Sequence, residues 1–314
     1  MSRILITGGA GFIGSNLAHA LIARGDTVCI IDNLSSGREE NLTGILDQIT
    51  FIRESILEPR ALRAAMEGAE YVLHQAALPS VPRSVQDPVG SFEANVVGSM
   101  RVMEAARAAK VKRVVYAASS SAYGETPILP KVESMPAAPI SPYGMFKLFG
   151  EHLCQVWTKV YGLECVALRY FNVFGPRQRP DSQYAAVIPK FILAMSQGEA
   201  PTIYGDGTQS RDFCFVENVV QANLKAMVAP KAPGNVYNIA CEQRTTLLVL
   251  VGALNRILGT CLTPNLVAPR PGDIKHSLAD ITRAVQDLDY RWPVPFEAGL
   301  RQTVAWFRGR LGKS

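Results

Sequence analysis

Metal-type and redox-type cysteine spacing is missing from this 314-residue chain. Its six cysteines (Cys29, Cys154, Cys165, Cys214, Cys241 and Cys261) form no C-x-x-C pair. A zinc ribbon, a dithiol redox centre and a disulfide scaffold all lose their usual signature. Several of these cysteines sit in apolar runs, the setting of buried reduced thiols, so a cytoplasmic compartment is expected. Histidines are few, and His74, His152 and His276 show no ligand spacing, so no metal is expected. No apolar run reaches the ~20 residues of a membrane helix. The first apolar run is broken by four glycines within residues 8–14, which does not read as a secretory leader. The net charge of +5 comes from scattered Lys and Arg, with no aromatic-basic motif. Neither nucleic acid nor membrane is an expected partner; the mild positive balance suits a phosphorylated small molecule. Repeats and low-complexity linkers are also absent.

What is present is an ordinary globular composition, 48% hydrophobic and 19% charged. Residues 3–7, 27–32, 71–75, 113–118 and 164–170 read as strands, with a further strand ending near Phe51 and Ile52. Helices are expected between the first two strands, to about Arg24, and over 89–109 and 143–161. This alternation predicts an α/β fold with a doubly wound parallel sheet. After Asn172 proline and glycine become frequent, as in loops that shape a site. Helices are expected there over 187–197, 216–228, 247–258, 282–287 and 296–308, with a strand over 236–240. They predict a smaller C-terminal α/β lobe packed on the sheet.

Gly8, Gly11 and Gly14 follow the first strand at spacings of three and three. The first allows a tight turn, the second lets backbone approach a pyrophosphate, and the third lets the helix pack on the strand. The helix N-terminus then offers free N–H groups to the phosphates. Asp32 closes the second strand, where an acid can accept hydrogen bonds from the adenosine ribose. Asn33, Leu34, Ser35 and Ser36 come next, with no cation for a 2′-phosphate, so NAD is expected rather than NADP. A ligand-free glycine turn and a turn-capping Asp32 are the plain alternatives. Together these features give a Rossmann-type dinucleotide site over 1–172, with later returns near 213–240. Residues 173–314 would mainly bind substrate.

Tyr143 and Lys147 are four apart, so they share one helix face. A nearby ammonium favours the phenolate and can bring the tyrosine toward neutrality. Beside a nicotinamide, a phenolate can take a proton from a sugar or alcohol hydroxyl. Alone, the pair could equally be a solvated one.

With these motifs in order, the chain resembles the extended short-chain dehydrogenase/reductase family, specifically its NAD-dependent nucleotide-sugar epimerases. The resemblance covers essentially all 314 residues. Besides the glycine turn and the Tyr–Lys pair, it is carried by residues 74–77, 95–98, 119–124, 168–176, 205–207, 211–213 and 270–273. Residues 77–84, 118–124 and 272–280 look closest to bacterial UDP-N-acetylglucosamine 4-epimerases. The resemblance implies C4 epimerisation of a UDP-hexose through a transient 4-keto sugar and bound NADH. UDP-N-acetylglucosamine is the expected substrate; UDP-glucose, UDP-glucuronate or an N-acetylhexosaminuronate are alternatives. A net oxidoreductase and an NAD-sensing binding module are the readings from other classes.

By the same resemblance Ser119, Tyr143 and Lys147 are catalytic. Cofactor contacts fall on Gly8, Gly11, Phe12, Ile13, Gly14, Asp32, Asn33, Ser36, Gly37, Ser55, Ile56, Gln75, Ala76, Ala77, Asn95 and Tyr170, besides the Tyr–Lys pair. Ser55 stands where relatives carry an aspartate for adenine, and is a weaker acceptor. Substrate contacts fall on Ser80, Val81, Arg83, Ser84, Asn172, Ala186, Val187, Tyr204, Arg211, Arg270 and Asp273. Ser120 and Ser121 face the sugar or support their loop. They stand where related 4,6-dehydratases carry Asp and Glu, which disfavours elimination. Ser277 stands where galactose-specific members place a tyrosine, and leaves room for an N-acetyl group unless it faces solvent. Arg83 could meet a C6 carboxylate or neutral hydroxyls. Helices over 89–109 and 143–161 build a homodimer in this family.

Overall fold

The computed structural model describes residues 1–180, 186–269 and 275–311. Arg270 and Asp273 therefore lie outside the described residues. The first half supplies strands β1 (Arg3–Thr7), β2 (Thr27–Ile31), β3 (Ile49–Ile52), β4 (Tyr71–His74), β5 (Arg113–Ser119) and β6 (Glu164–Tyr170). Three short ladders follow: β7 (Val173–Phe174) with β10 (Cys214–Phe215), β8 (Thr202–Tyr204) with β13 (Asn265–Val267), and β9 (Ser210–Asp212) with β12 (Arg244–Thr246). Strand β11 (Val236–Ile239) returns to the main sheet beside β6. The seven strands run in the order β11-β6-β5-β4-β1-β2-β3, all parallel. The order reverses between β1 and β4, so a crevice opens at the carboxyl ends of these strands.

Both sheet faces are covered, which is why the central strands are apolar without alternation. In β5, Val114, Val115 and Tyr116 are all buried. Helices α1 (Phe12–Ala23) and α8 (Val216–Val228) pack together against one face. Helices α2 (Pro59–Met66), α5 (Gly98–Ala108) and α6 (Pro142–Tyr161) cover the other. A separate core joins α7 (Val187–Ser196), α9 (Leu247–Leu258) and α11 (Phe296–Leu311) around Phe174, Phe191, Phe213 and Phe215. Helix α10 (Thr282–Leu288) packs by β11. Among the described residues no helix is long and apolar enough to cross a membrane.

The expected helix over 89–109 is interrupted. It comprises α4 (Pro88–Phe92), a π-helical turn at Glu93–Val97, and α5. Asn95 lies in that turn, its side-chain amide donating to the Ser91 carbonyl at 2.9 Å while its oxygen accepts from Leu78 N at 3.1 Å. Helices α2 and α3 (Val81–Gln86) went unread because they are too short for an apolar period. Each has proline in its first turn and a side-chain cap, Glu58 and Ser80.

Helix α6 is the longest, with Ser141 Oγ accepting from Gly144 N at 3.1 Å and Gly162 ending it in the left-handed region. It lies close on β5 because Gly150 has no side chain. A Cβ there would come within 2.1 Å of the Tyr116 ring, itself buried. Gly150→Ala is therefore expected to destabilise the fold by about 1–3 kcal/mol, the usual cost of overpacking. Thermal melts of the purified variant would check this.

Candidate active site

A cleft of about 790 Å³ opens at the carboxyl ends of the strands. Its inner end is the turn after β1. Gly8 adopts φ +70°, and a Cβ there would lie 2.6 Å from Ala76 N. A Cβ on Gly14 would lie 2.2 Å from the Gly8 carbonyl. Only glycine allows this approach of α1 to β1 and β4. Helix α1 starts after Gly11 with no side-chain cap. The first-turn N–H groups at Phe12, Ile13 and Gly14, which also line the cleft, have no acceptor within the helix.

Asp32 sits at the end of β2, mostly buried. Its Oδ2 accepts from Ala10 N at 2.9 Å and its Oδ1 from Leu34 N at 2.8 Å. Burial raises its pKa, and those two bonds oppose the rise. A carboxylate has about four acceptor sites, so room for two ribose hydroxyls is left. An open helix N-terminus and a half-satisfied carboxylate lining one cleft fit a dinucleotide. Asn33, Ser36, Ser55, Ile56, Gln75, Ala76, Ala77 and Tyr170 line the same cleft. Gln75 and Tyr170 are bonded to each other at 3.2 Å. Burial pushes the Tyr170 hydroxyl up to about 12.

Ser119 ends β5, while Tyr143 and Lys147 rise from the first turns of α6; all three line the cleft. The Ser119 hydroxyl lies near enough to Tyr143 to favour its phenolate. Ser121 Oγ donates to Ser119 Oγ at 2.8 Å, and Ser121 N at 3.2 Å. Burial pushes Tyr143 up to about 12, opposed by the neighbouring Ser119 hydroxyl. Burial also lowers Lys147 to about 8. Its Nζ donates to the Ala117 carbonyl at 2.8 Å and lies 6.0 Å from the Tyr143 ring centre. The ammonium is spent on a backbone carbonyl, and burial of the phenol dominates.

Several residues named from the sequence stand behind the cleft rather than on it. Asn95 is spent on Leu78 and Ser91, as described. Ser84 is buried, and its Oγ accepts from Tyr143 N at 3.1 Å, holding the start of α6. Gly37 packs against Ala10 and Asp32, where a Cβ would come within 2.9 Å of the carboxylate. Val81 is exposed on α3. On the substrate side Ser80, Arg83, Asn172 and Ala186 line the cleft. Val187, Tyr204, Arg211 and Ser277, like Ser120 and Ser121, are not among its lining residues. Arg211 Nη1 donates to the Ser210 and Lys275 carbonyls at 3.0 and 3.2 Å. Ser277 Oγ accepts from Asn172 Nδ2 at 3.5 Å, one side chain removed from the cleft.

Residues 4–240 match the family described as NAD dependent epimerase/dehydratase. The chain belongs to that family. A UDP-glucose 4-epimerase of Mycolicibacterium smegmatis is 38% identical over 98% of this chain and 99% of that protein. A solved UDP-N-acetylglucosamine 4-epimerase from Methanobrevibacter ruminantium, in complex with UDP-N-acetylmuramic acid, superposes with a TM-score of 0.94. It is 41% identical, covering 98% of this chain and 99% of that one. A UDP-glucuronic acid 4-epimerase from Bacillus cereus, in complex with UDP-glucuronic acid and NAD, gives a TM-score of 0.89. Its identity is 33%, with 98% and 99% covered.

In this epimerase/dehydratase family member the cleft also includes residues that the sequence reading passed over. Leu78 and Pro79 line it, as do Arg177, Gln178 and Arg179. Arg177 adopts φ +70°, costly for a side chain of its size, and its Nη1 donates to Asn16 Oδ1 at 2.8 Å. The basic pair beside Pro176 was the available signal.

Proposed function

We propose that this protein is an NAD-dependent UDP-hexose 4-epimerase that interconverts UDP-N-acetylglucosamine and UDP-N-acetylgalactosamine. The observation that carries the reading is the meeting of Ser119, Tyr143 and Lys147 in a single cleft with the open α1 N-terminus and Asp32. NAD would be held by the Gly8–Gly14 turn, Asp32 and Lys147, and when bound would accept and return the hydrogen of the sugar C4 as hydride. Tyr143 takes the proton of the 4-hydroxyl, and Ser119 hydrogen-bonds the 4-oxygen before and after oxidation. The Lys147 ammonium, now on the Ala117 carbonyl, must face the tyrosine oxygen to favour the phenolate. The 4-keto sugar turns about its link to the anchored nucleotide, and Tyr143 returns the proton on reduction from the other face. Asn172, Arg211, Arg270 and Asp273 are the proposed nucleotide contacts. Elimination of water is disfavoured, since Ser120 and Ser121 follow Ser119 and supply no carboxyl group. The small Ser277, bonded to Asn172, favours an N-acetylated sugar. Arg83, on the cleft wall with Ser80, favours a second reading in which the sugar is a uronic acid.

Proton NMR with UDP-N-acetylglucosamine and no added NAD tests this reading. Anomeric signals of UDP-N-acetylgalactosamine are expected. Turnover of UDP-glucuronate alone would move the substrate to the second reading. Silence with every UDP-hexose, even after adding NAD, would overturn the epimerase assignment.

Asp32→Ala is expected to lower NAD affinity about tenfold or more, since hydrogen bonds to a charged group are worth ~1.5–3 kcal/mol. Nucleotide released per chain from purified protein measures it. A homodimer is also proposed. Met145, Val156 and Val160 of α6 are about half exposed or more, as are Val85 and Val89 on and beside α3 and α4. Such apolar faces mark an interface.

A further inference from the structure

Glu151 stands one helical turn beyond Lys147 and two beyond Tyr143, so the three share one stripe of α6. Its carboxylate meets Arg169 of β6 as a two-pronged pair: Nε to Oε1 at 2.8 Å and Nη2 to Oε2 at 2.7 Å. Both side chains are sealed from solvent, 2% and 5% exposed. The third guanidinium nitrogen, Nη1, has no acceptor among the described residues. The same guanidinium lies 4.5 Å over the Tyr123 ring. Tyr123 closes the short turn that begins directly after Ser119, and its hydroxyl donates to Asn238 of β11 at 2.7 Å. One arginine thus touches the helix that carries Tyr143 and Lys147 and the turn that follows Ser119.

Stability alone does not account for this arrangement. Taking two charges out of water costs about what their attraction returns, and an apolar pair of equal volume holds a core as well or better. A planar fork differs from an apolar contact in fixing direction. It sets the rotation of α6 about its axis and its height over β6, and the stacked Tyr123 ties the serine turn to the same point.

We infer that Arg169 and Glu151 are positioning residues that hold the Ser119 and Tyr143 hydroxyls in register and Lys147 over β5. The inference rests on the reading of Ser119, Tyr143 and Lys147 as the reacting groups. The test is the double variant Glu151→Leu/Arg169→Met, which leaves no unpaired buried charge, together with Arg169→Lys, which keeps the charge and loses the fork. In the double variant kcat is expected to fall about tenfold to a hundredfold, the effect of moving reacting groups by ~1 Å. KM for the UDP-sugar and NAD per chain should stay at wild-type values. Arg169→Lys should fall between the two and carries the kinetic test if the double variant does not fold. Wild-type kcat in a folded variant overturns the inference. So does a fall in kcat matched by a rise in KM and loss of NAD, the mark of general loosening. A crystal structure of a folded variant reads the inference without turnover. A separation between the Ser119 and Tyr143 hydroxyls that differs from wild type by ~1 Å supports it, and an unchanged separation overturns it. If wild type itself turns over no UDP-hexose, the proposed function has failed and this structural arm still decides the positioning.

Discussion

Tyr143→Phe is expected to cut kcat by about a thousandfold, within the ~10²–10⁴ that a positioned acid–base contributes. The substitution removes one oxygen from a ring held by the first turn of α6, where Ser84 and Ser141 fix the backbone. Lys147 keeps its bond to the Ala117 carbonyl, since that bond does not involve the tyrosine. Fold and NAD content should therefore be unchanged, and so should KM where the nucleotide supplies most of the binding. Ser119, with Ser121 bonded to it, is the hydroxyl left for the proposed contact to the 4-oxygen. A serine hydroxyl does not ionise near neutrality, so it cannot replace the phenol as base. Stopped-time NMR of epimerisation, with nucleotide content measured on the same sample, checks both halves. Near-wild-type kcat in the folded variant would remove Tyr143 from the chemistry. Loss of NAD with the activity would make it a cofactor anchor instead.

The parts of this molecule that could be read from the sequence are those where local chemistry leaves little choice. Gly8 is legible because only glycine takes φ +70° with Ala76 N so near, and Asp32 because it closes the next strand at the same sheet edge. The long central strands were legible because parallel strands buried on both faces are continuous apolar runs. Strands of two or three residues, such as β7 and β10, contain no period to detect and exist only because distant segments meet. The state of the Tyr–Lys pair was illegible for the same reason. Its spacing places both groups on one face, but the acceptor that takes the ammonium is the Ala117 carbonyl, thirty residues earlier on another element. The same holds for Asn95 and Ser84. Their residue types suit ligand contact, yet their partners are backbone groups of neighbouring loops and helices. Arg169 reads as one more residue of an apolar strand until Glu151 is seen opposite it.

Lys147→Met is expected to abolish turnover and yet to stabilise the protein freed of nucleotide, by an amount that depends on pH. Lys147 is almost wholly buried, and burial holds it near 8 against an ordinary 10.5. A base with a depressed folded value binds fewer protons in the native state than in the unfolded chain between those two limits. Stability therefore rises as pH climbs from about 8 toward 10.5, and the cost of the buried ammonium is fully present below 8. That gap corresponds to roughly 3 kcal/mol at ~1.4 kcal/mol per pH unit. Methionine has similar bulk and no charge, so the variant should escape the cost and lose only the Ala117 bond, worth about 1 kcal/mol. A net gain of roughly 2 kcal/mol below pH 8 should shrink through zero as pH approaches 10. Urea unfolding of both proteins after nucleotide removal, from pH 6 to 10, measures the difference; removal matters because bound NAD stabilises whichever protein holds it better. A difference that does not vary with pH would mean that the ammonium is not desolvated in the native state. A buried charge kept at such a cost, in a helix turn that an apolar residue would fill better, is what the proposed role of Lys147 beside Tyr143 requires.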